Sequence, residues 1–226
     1  MNKPQESAAF DLRQVQELRK RIAQGEGIQL EFKRKATFPD KIVREMIAFA
    51  NTKGGTLLIG VNDDGELSGL KHPEGESHVI QEALKKCRPK LPVKETFIPI
   101  GNSRTILHYQ VEESLKKPHY FLNDDGGKES FVRVEDKSIQ ASREMREIIK
   151  RQQRNKDIRF QYGEAEDLLM KYLDRHAHIT LKQFVQLTGL KKFYASRKLI
   201  VLVLADVLRI NAHEKGDVYA LGFRPK

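Results

Sequence analysis

The run Thr56-Leu57-Leu58-Ile59-Gly60-Val61 constrains this chain more than any other feature. Six residues nearly devoid of polar side chains suit a strand covered on both faces, the central strand of an α/β layer structure. The residues before it set the connection. Pro39 opens a predicted helix running to about Asn51, whose apolar positions Ile42, Met46, Phe49 and Ala50 repeat with one-face helical spacing. Gly54-Gly55 then end the helix and start the strand. Because these glycines follow a helix and precede a strand, they are the reverse of a phosphate-cradling strand-to-helix loop. No G-x-x-x-x-G-K-[ST] is present, which argues against ATP hydrolysis.

Around this centre the pattern reads as a mixed α/β domain. A helix is expected from Phe10 to Ala23, a strand at Ile28–Phe32, and a return strand at Leu67–Leu70 after an Asp64-Gly65 turn. A short helix at Ser77–Cys87 follows, then a hairpin of Val93–Ile100 and Arg104–Val111, and strands at Tyr120-Phe121 and Phe131–Val134. The rhythm changes in the last third. A helix at Glu164–Ala177, a short helix opened by the capping-box pair Thr180 and Gln183 and closed at Gly189, a longer helix at Lys191–Val207 and a hairpin at Leu208–Leu221 follow the order of a winged helix-turn-helix. The expected layout is a disordered 1–9, an α/β domain over 10–150, a linker over 151–162 carrying on from a polar helix at Arg143–Arg154, and a winged helix over 163–226.

Charge narrows the class. The 226 residues carry 41 lysines and arginines against 31 acids, a net of +10, which points to a polyanionic partner or simply to a soluble basic surface. Residues 151–226 hold 15 of those cations against 8 acids, so most of the excess sits in the last third. With Phe193, Leu199 and Val203 turned inward, the helix starting at Lys191 would present Lys191, Lys192, Tyr194, Arg197 and Lys198 for phosphate and base contacts, with His213 and Lys215 added from the hairpin. The same module also serves elsewhere as a dimerisation or docking unit. Arg133 and the loop Lys116–His119 are further candidate phosphate contacts, or solvated surface charge. No long apolar run predicts a membrane span and no leader pattern opens the chain, so the expected compartment is the cytoplasm. Cys87 is the sole cysteine, so neither an intrachain disulfide nor a zinc cluster is expected.

A second constellation lies in the first half. Glu31 and Lys33 stand two apart on a predicted strand and share a face, Asp63 closes the apolar strand, and Glu26 lies just upstream. If these acids converge, their oxygens suit Mg²⁺ or Mn²⁺, which would activate water against a phosphodiester while Lys33 offsets charge on the phosphate. The alternative is ordinary pairing of Glu31 with Lys33, Arg34 or Lys35.

The segments Glu26-Gly-Ile-Gln-Leu-Glu31-Phe32-Lys33, Ile47 to Gly65 and Leu67-Ser68-Gly69, with Phe131-Val132-Arg133-Val134 later, resemble the Schlafen AlbA-like domain, also described as divergent AAA-type, over about residues 15–150. The resemblance implies an α/β domain that binds nucleic acid, often followed in bacterial members by a winged helix. It also implies a nuclease alternative, an RNA- or DNA-cleaving centre at Glu26, Glu31 and Asp63 with Lys33 beside them. Animal members carry a paired core and a zinc site, whereas this chain has one copy, which a homodimer would double. Three readings follow: a DNA-binding transcriptional regulator, a Mg- or Mn-dependent nuclease acting on DNA or RNA, and an oligomerising interaction module.

Overall fold

The computed structural model describes residues 11–153, 158 and 160–222. The expected disorder of residues 1–9 lies outside them, as do parts of the expected 151–162 linker. The chain divides into two units, the first ending at Ser138 and the second beginning at Ile139.

The first unit begins with α1 (Leu12–Ile22), capped by the Asp11 carboxylate, which accepts from the Arg13 N–H at 2.8 Å. β1 (Leu30–Lys33), α2 (Pro39–Asn51) and β2 (Gly55–Ile59) form a parallel β-α-β crossover, with Glu31 opposite Leu57 and Lys33 opposite Ile59. α3 (Pro73–Leu84) starts four residues earlier than expected, because Pro73 occupies the helix start, where its missing N–H costs nothing. The short β3 (Cys87–Arg88) follows. Next come β4 (Val93–Gly101) and β5 (Arg104–Val111), an antiparallel hairpin turned by Asn102 and Ser103 at φ 51° and 53°. β6 (Tyr120–Leu122), β7 (Lys128–Glu129), β8 (Phe131–Val134) and β9 (Lys137–Gln140) complete the strands of this region.

The main sheet runs β1-β2-β5-β4, which makes the apolar run a central strand, buried at every position. Alternation divides it between two cores. Leu57 and Ile59 join Met46, Phe49, Ile80 and Tyr109 under α2 and α3, while Leu58 joins Leu18, Ile22, Phe32 and Ile106 under α1. The expected return strand at Leu67–Leu70 is absent; only the isolated bridges Val61–Leu67 and Leu70–Thr105 form there. The two glycines read as helix end and strand start have a packing reason. Gly54 sits at φ 68°, and a Cβ on Gly55 would lie 2.4 Å from the Phe49 ring.

The second unit holds α4 (Arg143–Gln152), α5 (Glu164–Arg175), β10 (Ile179–Thr180), α6 (Leu181–Thr188), α7 (Lys192–Leu204), β11 (Leu208–Asn211) and β12 (Val218–Leu221). Its sheet runs β10-β12-β11. The capping box is present: Thr180 Oγ1 accepts from the Gln183 N–H at 3.2 Å, and Gln183 Oε1 accepts from the Thr180 N–H at 2.8 Å. Gly189 closes α6 in the left-handed conformation at φ 69°.

The expected boundary at residue 150 differs from this division. α4 is not a linker: Ile148 packs in one core with Leu169, Leu173, Phe184, Leu199 and Tyr219. The Ser142 hydroxyl caps α4 at the Met145 N–H (2.9 Å) and also bonds Asp217, while the Ser196 hydroxyl donates to Glu144 at 2.6 Å. A polar sequence hid this packing, because only Met145, Ile148 and Ile149 of α4 are buried. No helix among the described residues is long and apolar enough to cross a membrane.

Candidate functional site

Glu31 and Lys33 do share a face of β1, and their charged groups touch. Glu31 is only 3% exposed. One of its oxygens accepts from the Lys33 ammonium, and the other accepts from Arg133 Nη2 at 2.6 Å. Glu26 turns back onto the start of the strand. Its Oε1 accepts from the Phe32 N–H at 3.0 Å and stands 3.8 Å from the Lys33 ammonium.

Arg133 sits at the centre of this arrangement, and its side chain is fully buried. A guanidinium has five N–H donors, and each finds an acceptor. Nε donates to the Gly27 carbonyl at 3.0 Å. Nη1 donates to Glu45 at 2.8 Å and to Ser138 Oγ at 3.2 Å. Nη2 donates to Glu31 and, at 3.3 Å, to the Leu30 carbonyl. The guanidinium also lies 5.1 Å from the centre of the Phe49 ring. Burial lowers the arginine's pKa, while Glu45, Glu26 and Asp136 oppose that shift. Arg133 is therefore not the phosphate contact expected from sequence, since no donor is left to offer. It ties β1, α2 and the β8–β9 region together. His119, in the other expected phosphate-binding loop, is likewise buried at 1% exposure. Its Nδ1 faces the Pro89 carbonyl at 3.0 Å and its Nε2 faces Ser114 Oγ at 2.7 Å.

Asp63 is exposed in the turn after β2. Among the described residues no three His, Cys, Asp or Glu side chains are grouped to hold a metal ion. The donor set does not fit a divalent cation in this arrangement. Both oxygens of Glu31 are occupied by cationic donors, one oxygen of Glu26 is taken by a backbone N–H, and a cation would have to displace Lys33 and Arg133 to gain ligands. Cys87, the sole cysteine, is buried, and burial pushes its thiol up to about 12, so it is no thiolate nucleophile.

The cations of the second unit are placed differently. Lys191, Lys192 and Arg197 are exposed at the start of α7, and Lys215 is exposed in the β11–β12 turn beside His213. None of these four cations has an ion-pair partner among the described residues. Lys198 departs from the expected set, because its ammonium bonds Oε1 of the buried Glu166 at 2.5 Å, while Oε2 of Glu166 accepts from the Gly163 N–H at 3.0 Å. Phe193 departs as well. It points outward, 55% exposed, as does Tyr194, and the two rings meet edge to face at 5.5 Å. Helix geometry explains the reversal. Ala195, Ser196, Leu199, Ile200, Leu202 and Val203 form the buried face, and Phe193 stands at its margin, about 120° from Leu199 but only about 20° from Ile200, and precedes the first buried residue, Ala195. The exposed first turn is thus two aromatic rings set among three unpaired cations. Sequence spacing registered the cations but missed the second ring.

No curated protein matches this chain. Among solved structures it is similar to the N-terminal domain of a RecG-related protein from Nitrosomonas europaea, at 24% identity over 52% of this chain and 85% of that one, with a TM-score of 0.40. It is also similar to the DIP2311 protein from Corynebacterium diphtheriae, at 19% identity and a TM-score of 0.40; 59% of this chain is matched, but only 30% of that longer chain. A family model described as Schlafen, AlbA_2 matches residues 26–142, beginning at Glu26, taking in Glu31, Lys33, Asp63 and Arg133, and ending at the cap of α4. The chain therefore belongs to the Schlafen AlbA_2 family.

Proposed function

We propose that this protein binds nucleic acid, as a DNA-binding transcriptional regulator whose second unit is a winged helix-turn-helix. Family membership supports association with nucleic acid, and the second unit supports the way it is made. α6 and α7 would be the helix pair joined through Gly189, α7 the helix that enters the major groove, and the β11–β12 hairpin the wing. One observation carries the reading: Phe193 and Tyr194 stand exposed beside Lys191, Lys192 and Arg197. Exposed aromatic rings lose free energy to water unless something covers them, and unpaired cations beside them favour a polyanion with flat or apolar groups. Nucleic acid supplies both, through phosphates for the lysines and arginine and through base edges or thymine methyls for the rings. Lys215 would meet backbone from the wing. Lys198 and Arg133 have no part in this surface.

The test is duplex binding by fluorescence anisotropy over a salt series. Binding is expected at low salt and should weaken steeply as salt rises. Each phosphate contact removed, by Lys192→Ala or Arg197→Ala, should lower the salt slope by about one. Phe193→Ala should weaken binding with the slope unchanged. Identical isotherms for the wild type and the Lys192→Ala/Arg197→Ala double variant would end the proposal.

A further inference from the structure

A groove of about 570 Å³ opens in the first unit between α1 and the β4–β5 edge of the sheet. That volume is in the range of small-ligand sites. Its floor is apolar where Leu18 meets Ile98 and polar where His108 rises from β5. Strand register extends the polar part. Thr96 lies opposite His108, Lys94 opposite Gln110, and Gln110 opposite Thr56. These residues share one face with Leu58, the face that α1 covers only in part.

Lys20 and Arg21 from the last turn of α1 line this groove, and Lys94 of the edge strand follows on the same sheet face, opposite Gln110. Arg21 is held in place by a neutral partner. Its Nη1 donates to Thr56 Oγ1 at 3.1 Å, and that hydroxyl donates to Gln110 at 2.9 Å. No carboxylate among the described residues lies within ion-pair distance of Arg21, Lys20 or Lys94, although Glu17 lines the same groove. His108 reports the resulting field. Burial lowers its pKa, and the charges of Arg21 and Lys94 lower it further. A positive, partly desolvated pocket with an oriented guanidinium and an adjoining apolar floor is built for a phosphate joined to a small carbon skeleton. α1 also precedes the stretch matched by the family, so this groove is partly made by residues outside it.

We propose that the groove between α1 and the β4–β5 edge is a binding site for a phosphate monoester, with Arg21 and Lys94 as its principal anion contacts and Lys20 at the rim. The chemistry is shared by two sources, a free phosphorylated small molecule and the 5′-phosphate end of a polynucleotide strand. The site is made by residues of the first unit alone, and its test does not depend on duplex binding by the second unit.

The experiment follows the His108 imidazole resonance of the full chain by NMR during titration with adenosine monophosphate. A saturable shift is expected, with the His108 pKa rising toward its ordinary value as the phosphate dianion enters. Arg21→Gln and Lys94→Gln should each weaken binding about tenfold, the effect of one lost charge-assisted contact, while Lys128→Gln, an exposed cation elsewhere in the unit, should leave it unchanged. A 5′-phosphorylated tetranucleotide that competes where its 5′-hydroxyl counterpart does not would assign the site to strand ends; competition by neither would assign it to a free small molecule. Absence of a saturable shift, or equal weakening by Lys128→Gln, would overturn the proposal.

Discussion

Arg133 of the first unit and the cations of α7 in the second use positive charge in opposite ways. In the first, Arg133 is buried and all five of its donors are matched by acceptors from three parts of the fold. In the second, Lys191, Lys192 and Arg197 stand in water beside two exposed rings. A buried guanidinium is tolerable only when fully paired, because its desolvation costs several kcal/mol. An exposed one costs little and keeps its donors for a partner. The comparison teaches that a basic composition says nothing about where cations are available. Arg133, inside the stretch that the family model matches, is structural, whereas Lys191, Lys192 and Arg197 lie beyond the end of that match.

The comparison breaks first at Glu31. Glu31→Ala strands the buried Arg133 charge and should destabilise the first unit by about 3–5 kcal/mol, read by denaturant unfolding, whereas duplex affinity of the fraction that stays folded should be unaffected. A variant of unchanged stability that lost a divalent-metal-dependent cleavage activity would instead return Glu31 to catalysis.

The next effect is a contrast within one turn of α7. Lys198→Ala leaves the buried Glu166 carboxylate with its backbone bond alone and should cost about 1–3 kcal/mol of stability with little change in affinity. Arg197→Ala should do the reverse, with unfolding unmoved and duplex binding weakened. Equal behaviour of the two variants in both assays would erase the distinction between paired and available cations.

Two titrations give smaller effects. His119 has its pKa lowered from 6.5 chiefly by burial, so the folded state disfavours its protonated form. Its contribution is full above pH 6.5 and is lost as pH falls from there through the lower folded value. Its neutral ring donates from Nδ1 to the Pro89 carbonyl and accepts at Nε2 from Ser114, so protonation removes that acceptor. His119→Gln should flatten the stability profile of the first unit below pH 6.5, measured by thermal unfolding. Asp217 behaves oppositely. Burial raises its pKa above 3.8 against the bond from Ser142, with Glu144 adding to the rise. Stability is therefore lost as pH climbs through 3.8 toward the folded value and stays reduced above it. Asp217→Asn, which keeps the acceptor for Ser142, should raise the melting temperature slightly at pH 7 and leave it unchanged in strong acid.

Local chemistry was legible in the sequence wherever one short segment decides the outcome. Pro39 and Asn51 bound α2 where they were read, the apolar run is a central strand, Thr180 and Gln183 cap α6, and Gly189 ends it. Each rests on backbone conformation, capping or a two- or four-residue repeat, and none needs a distant partner. The outward turn of Phe193 was harder to read. α7 is apolar from Leu199 to Leu204, and a helix rich in apolar residues around its circumference does not announce which side is inside.

Only the tertiary structure decided the partners. Arg133 and Glu31 are 102 residues apart, Arg133 and Glu45 are 88, and Lys198 and Glu166 are 32. No local pattern tells such a pair from free surface charge. The sequence by itself set a central strand, the helices before and after it in the chain and a basic last third, because helix and strand periods and charge counts are properties of short windows. Which cations are sealed against acids and which stay open to a ligand depends on the burial that arises when the layers close, and that is a property of the packed chain.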